Sequence, residues 1–263
     1  MLIIILGIFV GLVMGLTGAG GGIIGLPLLV FFLNISMVDA APIALSAVAG
    51  AATLAGILGF YKGTVRYKAA IIMAVAGTLL SPLGVLLAHK VNNHYLMIIF
   101  VFILVYVAYK TARDQNSDMG LSHDQLTPCA IGTQTGKLIW TCKCSISILF
   151  SGAMAGFLSG LLGVGGGFII VPALNRFTNL SIESVIATSL AVIALISISV
   201  IFTNVVHSSM NWYLAILFSA GAMVGVMLGK TLLTKIEIKY LKYGFSLLTL
   251  LVAVMLLIKA QIN

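Results

Sequence analysis

Charge is what this chain has least of. Asp, Glu, Lys and Arg make up 8% of its 263 residues, and only six residues are acidic. A soluble domain carries about 25% charged residues, so a surface turned to water on every side is excluded. The acids form no cluster and no H-E-x-x-H, which leaves metal-dependent catalysis without a visible basis. Cysteine is scarce too: Cys129, Cys142 and Cys144 give an odd count and one C-x-C. That pair is half a zinc site with no nearby His to complete it, so the expectation is three ordinary thiols and no metal. Neither arginine–aromatic interleaving nor a nucleic-acid module is present to put the net charge of +8 on nucleic acid.

What fills the chain is apolar sequence. Hydrophobic residues account for 61% of it, the mean hydropathy is +1.20, and apolar stretches recur near the ~20 residues that cross a bilayer. The composition predicts an integral membrane protein with little mass outside the lipid. The opening Met1-Leu-Ile-Ile-Ile-Leu6 lacks the basic start and cleavage site of a secretory signal and is read as structure. Lys and Arg lie mostly between the apolar stretches, where membrane topology accounts for them.

A glycine string occurs twice. Gly15-Leu-Thr-Gly-Ala-Gly-Gly-Gly22 returns as Gly160-Leu-Leu-Gly-Val-Gly-Gly-Gly167, each followed five residues on by a proline, Pro27 and Pro172. The offset of 145 (160 − 15) extends further: Gly7 and Gly11 match Gly152 and Gly156, Asn34 and Ser36 match Asn179 and Ser181, and Gly84, Lys90 and Phe100 match Gly229, Lys235 and Phe245. One unit is duplicated, giving a first membrane repeat over 1–110, a polar linker over 111–145 and a second membrane repeat over 146–263. Each half reads as a glycine-broken apolar segment (2–33; 146–178) and three long ones (40–60, 69–88, 95–110; 184–206, 212–233, 241–260).

The broken segment is too long for one crossing: a continuous helix over 2–33 would span roughly 48 Å against a core of about 30 Å. Charge decides how it is used. If the segment doubles back as a hairpin, twelve of the fourteen Lys and Arg fall on one side, and only Lys90 and Lys259 on the other. If it crosses once, the split is 8 to 6. The positive-inside rule selects the hairpin, with both termini outside and the linker cytoplasmic. A hairpin plus three spans is an odd number of crossings, so the second half is inverted. Basic loops agree, since Lys62–Lys68 faces an uncharged counterpart, His207–Trp212, and the basic Lys235–Lys242 faces a nearly neutral loop at Lys90.

Glycine runs leave backbone N–H groups without helical partners, which in hydrocarbon must be buried in protein or line a wet cavity. The helices resuming near Ile23 and Phe168 turn their positive ends toward the breaks, an arrangement suited to an anion. The remaining glycines of Gly7/Gly11/Gly15, Gly152/Gly156/Gly160 and Gly221/Gly225/Gly229 form small-xxx-small ladders for helix packing. Of the hydroxyl and amide residues in the spans, Thr17, Ser46, Ser159, Ser189 and Asn204 are the candidate contacts; most Ser and Thr in such helices bond their own backbone. Asp39 and Glu183 read as helix-start residues, and His207 as an exposed loop residue. Gly225-Val-Met-Leu-Gly-Lys-Thr231 is one residue short of a P-loop, and Ser159 lacks the G-x-S-x-G frame, so no enzyme is expected.

The duplicated G-L-x-G-x-G-G-G-x-x-x-x-P, opening each hydrophobic half, resembles the sulfite exporter family of the TauE/SafE type over nearly the whole chain outside 111–145. That resemblance implies small sulfur-containing anions, such as sulfite and organosulfonates, moved across a bacterial cytoplasmic membrane. By position it points to Gly18, Gly20, Gly21, Gly22 and Pro27, and to Gly163, Gly165, Gly166, Gly167 and Pro172. The second copy has Leu162 where the first has Thr17.

The sequence therefore predicts an all-α polytopic membrane protein of 8–10 membrane segments, two inverted repeats each built as a glycine-broken helical hairpin plus three transmembrane helices. Its predicted partners are a small anionic substrate and the lipid bilayer, with no nucleic acid and no cofactor; a homo-oligomer and a coupling ion stay open. The expected activity is secondary transport, most simply export, with the anion held between the two breaks. The alternatives are a passive small-anion channel or a carrier of another small organic anion.

Overall fold

The computed structural model describes residues 2–18, 20–113, 129, 142–178, 180–207, 211–233 and 238–262. Ten helices carry nearly all of them: α1 Leu2–Thr17, α2 Gly20–Leu33, α3 Met37–Tyr61, α4 Tyr67–Lys90, α5 Asn93–Arg113, α6 Cys142–Leu162, α7 Gly167–Phe177, α8 Ile182–His207, α9 Trp212–Leu233 and α10 Ile238–Ile262. Among the described residues six helices, α3, α4, α5, α6, α8 and α9, are long and apolar enough to cross a membrane, and four apolar stretches are shorter. The protein is all-α and polytopic. The linker over 111–145 falls mostly outside the described residues.

Both broken segments fold back on themselves. A methyl on Gly21 would stand 2.8 Å from the Met14 sulfur, and one on Gly25 3.2 Å from Val10, so α2 descends as α1 rises. At the other end of the second hairpin the main-chain N–H of Cys129 donates to the Phe177 carbonyl at 3.1 Å, and Cys129 is disulfide-bonded to Cys144 near the start of α6. The end of α7 is thereby held beside the start of α6. At about 1.5 Å per residue, α1, α2 and α7 rise roughly 24, 21 and 16 Å, short of a ~30 Å core, whereas α6 alone rises about 31 Å.

The disulfide corrects the expectation of three ordinary thiols. Cys144 is buried, and only Cys142 is free and exposed. Nothing in a 15-residue separation announces such a pair; the return of α7 to the start of α6 creates the proximity.

The halves interlock. Helix α1 packs on α9 of the other half and α6 on α4, so each hairpin is seated against the opposite repeat. The glycine ladders make these seams. Methyl groups on Gly7 and Gly15 would stand 2.5 and 2.6 Å from the Phe218 and Val226 carbonyl oxygens, and one on Gly152 would stand 2.5 Å from that of Met73. Without Cβ atoms the backbones approach closely, which supplies packing energy where lipid gives helices no hydrophobic reason to associate.

Helix directions follow from the same contacts. In the α3–α8 pair Gly56 meets Ala191 and Gly59 meets Ala187, so these helices, equivalent under the 145 offset, run antiparallel. Parallel seams link α1 to α9 and α6 to α4, and Ser46 and Ser219 join α3 to α9 in parallel through side-chain bonds. At the start of α3, Ser36 caps through the Asp39 N–H at 3.2 Å, and Ser181 does the same for Ser184 before α8. Asp39 is thus a helix-start residue.

Candidate functional site

Two interruptions of helix define the site. At the first, α1 ends at Thr17 and α2 begins at Gly20, and Gly18 between them is left-handed at φ 71°. At the second, residues 163–166 lie outside helix, and Gly163, Gly165 and Gly166 have φ of 71°, 79° and 70°. Side chains rarely adopt that conformation, which accounts for glycine there.

The restart of helix at Gly20, not Ile23, corrects the expectation that the whole triple glycine is broken backbone. Gly20, Gly21 and Gly22 are helical. Gly21 makes room for Met14, and Gly22 lies against the Val164 carbonyl so closely that no Cβ fits. In this copy glycine serves close approach more than an unusual dihedral. In the second copy, helix resumes at Gly167, one residue ahead of Phe168.

The Gly22–Val164 contact brings the two breaks together. Gly165 packs against Val48 and Ile193, at 2.9 and 3.3 Å from the position of a Cβ. Val48 is the twelfth of 25 residues in α3 and Ile193 the twelfth of 26 in α8. These two positions are also equivalent under the 145 offset, so the second break reaches the middle of the antiparallel pair on which the halves are folded. The breaks therefore sit deep in protein, as unpaired backbone in a bilayer must.

The predicted polar residues divide into two groups. Ser189 donates to the Gly18 carbonyl at 3.3 Å and to Ile186 of its own helix at 2.9 Å, so it braces the first break. Thr17 donates to the Val13 carbonyl at 2.9 Å. Ser46 bonds Ile43 and reaches Ala215, which makes it part of the α3–α9 seam. Asn204 donates to Val200, and borders a cavity of about 10 Å³ with Ala41, His89 and Gly160, room for a single water. Pro27 and Pro172 lie inside α2 and α7, five residues past the last glycine of each string.

Ser159 is different: it is fully buried, and its hydroxyl has no hydrogen-bond partner. Ser197, which the sequence reading passes over, shares that state, and its oxygen lies 3.3 Å from the position of a Gly165 Cβ. Only comparison of the halves could have singled it out, because its counterpart is Ala52. The N-terminus of α7 faces the same break, with left-handed Gly166 as cap and no side chain bonded to it. Main-chain N–H groups and the Ser197 hydroxyl are donors there, with the Ser159 hydroxyl unpartnered on the preceding turn of α6, and the helix end adds positive potential. Chemically, the second break can host negative charge.

Residues 3–256 match the family model described as sulfite exporter TauE/SafE. A probable membrane transporter protein of Xylella fastidiosa (strain Temecula1) is 28% identical over 251 residues, covering 93% of this chain and 90% of its own. Another of Bacillus subtilis is 25% identical, covering 90% of each, and a third from Methanocaldococcus jannaschii is 26% identical over 75% of this chain and 69% of its own. No solved structure matches. The match over nearly the whole length, on a fold of apolar helices with paired glycine breaks, places the chain in the TauE/SafE sulfite exporter family as a multi-pass membrane transporter.

Proposed function

We propose that this protein is a secondary transporter, working as an exporter, of small sulfur-containing anions such as sulfite or organosulfonates. The observation that carries the reading is the junction of the two breaks, Gly22 against Val164, with Gly165 level with the midpoints of α3 and α8. Equivalent helices run in opposite directions, which supports two inverted repeats about a central site, the construction that permits alternating access. The close Gly22–Val164 seam acts as the divide between the two sides; separating the hairpins would open a path past α7. Sulfur chemistry enters from the family.

In this reading the protein sits in the inner membrane with both termini outside and the 111–145 linker inside, as the basic residues dictate. An inside-negative potential favours anion exit by about 2.3 kcal/mol per charge per 100 mV, enough to drive export without a second ion. The test is purified protein in liposomes with radiolabelled sulfite or a sulfonate inside. Saturable efflux that accelerates with an imposed potential supports the carrier; single-channel currents would replace it with a channel, and absence of any anion flux would reject transport of anions.

A further inference from the structure

We propose that Ser159 and Ser197 are the hydroxyl ligands of the transported oxyanion, so that substrate is held on the second break while the first serves as its scaffold. This assignment rests on the transport reading above and adds to it the residues that recognise the anion.

Buried polar side chains are few: ten among the described residues. Eight of them are hydrogen-bonded: Ser81, Ser151, Thr178, Ser184, Thr188, Ser189, Asn204 and Thr249. The two left over are Ser159 and Ser197, both fully buried. A serine in a helix ordinarily donates to a carbonyl three or four residues back, as Ser151 and Ser189 do here at 2.9 Å each. Two serines that decline this bond in an apolar interior retain a donor and acceptor for something else.

Both belong to the same place. Ser197 projects its oxygen to Gly165, the central residue of the second break. Ser159 stands in the last turn of α6, and its carbonyl accepts the Gly163 N–H at 2.8 Å, which closes the helix at the break. Ala155, one turn earlier, packs under Gly166, with 2.6 Å between its carbonyl oxygen and the position of a Gly166 Cβ. The Ser197 hydroxyl thus reaches the left-handed stretch from α8, Ser159 stands on the last turn of α6 that leads into it, and the N-terminus of α7, with no side-chain cap, begins at its far end.

The equivalent positions of the first half carry Met14 and Ala52. There the nearby hydroxyls are occupied, Ser189 by the Gly18 carbonyl and Thr17 by Val13. Donor chemistry is therefore concentrated on one side of the junction. Helix-end N–H groups select an anion over a cation. Two neutral hydroxyls on separate helices suit a ligand with two or more oxygens, which matches a sulfite or sulfonate group and its need to be released again. In the closed arrangement the space at Gly165 is filled by Val48 and Ile193, so the ligand enters when the hairpins part.

The test compares Ser159→Ala, Ser197→Ala and their combination with wild type in liposomes, following radiolabelled sulfite. Each single variant is expected to raise KM about tenfold, and the pair more, with Ser159→Thr retaining near-wild-type KM. Without substrate, the alanine variants should have a Tm equal to or above wild type, because an orphaned hydroxyl is removed; a merely structural serine would lower it. The mirror variants Met14→Leu and Ala52→Ser should leave KM unchanged. Normal KM in folded Ser159→Ala and Ser197→Ala proteins, against a wild type that transports, overturns the assignment alone. A sodium dependence altered at constant anion KM overturns it as well, in favour of a cation. Wild-type liposomes that move no anion overturn the transport reading, and this assignment with it.

Discussion

The two glycine strings share five glycines in register, yet their backbones differ. In the first copy Gly18 is the one described residue between α1 and α2, and the last three glycines are already in α2. In the second the chain stays out of helix for four residues, and three of its glycines are left-handed. The hydroxyls diverge the same way, with Ser189 and Thr17 bonded to backbone at the first break and Ser159 and Ser197 unpartnered at the second. Sequence similarity between duplicated halves thus conceals a difference in structure, one break braced by bonded hydroxyls, the other flanked by hydroxyls without partners.

The largest effect expected from this contrast lies at one motif position. Gly21 and Gly166 are equivalent under the 145 offset. Gly166→Ala must place a side chain at φ 70° and drive its Cβ toward the Ala155 carbonyl. Left-handed strain of about 1–2 kcal/mol and overpacking of about 1–3 kcal/mol sum to roughly 2–5 kcal/mol. Gly21→Ala meets the Met14 side chain, with its sulfur at 2.8 Å and its Cβ at 3.0 Å, but in ordinary helix, so only the overpacking of about 1–3 kcal/mol applies and the loss should be the smaller of the two. Thermal unfolding in detergent measures both; equal losses would show that the copies are structurally alike after all.

Much of this architecture is legible in the residues. The element order follows from apolar runs bounded by basic loops, and the seams from the glycine ladders, because a repeat of small residues has little use except close packing. The hairpins follow from the length of the broken segments and the charge count. What escapes is what depends on the partner half. Gly22 looks like a helix breaker until Val164 is placed against it, and Ser197 looks like any serine of an apolar helix until Gly165 arrives beside it. The Cys129–Cys144 pair is invisible for the same reason.

The returning ends of the hairpins give the next comparison. The second is strapped covalently through Cys129–Cys144 and the bond from Cys129 to Phe177. The first is held by Lys259, which donates to the Val30 carbonyl and, at 2.8 Å, to Asn34. Closing a 15-residue loop contributes about 3 kcal/mol in the chain-entropy account, so Cys129→Ser should lower stability by that order under oxidising conditions and by far less under reducing ones. In the proposed orientation the strap lies on the cytoplasmic side, where thiols are kept reduced. Maleimide-polyethylene glycol applied in denaturing detergent, which exposes the buried Cys129 and Cys144, should therefore tag three thiols in cells lysed directly into it and one, Cys142, in oxidised purified protein. A single tag in both would move the strap to an oxidising compartment and reverse the orientation. Lys259→Met removes two charge-assisted bonds at a partly exposed site and is expected to cost about 1–3 kcal/mol, independent of reductant; a reductant-dependent loss there would erase the distinction between the two ends.

The smallest expected effect separates bracing from binding. Ser189 ties α8 to the Gly18 carbonyl, while its equivalent under the 145 offset in the first half, Ala44, has no hydroxyl. Its bond to Gly18 is long, and the hydroxyl also has Ile186 within its own helix, so Ser189→Ala forfeits about 0.5–1.5 kcal/mol of stability at most. Because that serine holds backbone and leaves no donor for a ligand, the loss should appear in Tm with anion KM unchanged. The opposite pattern, an intact Tm with a raised KM, would make the first break a binding surface equal to the second. The two strings would then be two copies of one site, and the asymmetry of their hydroxyls would belong to the closed arrangement alone.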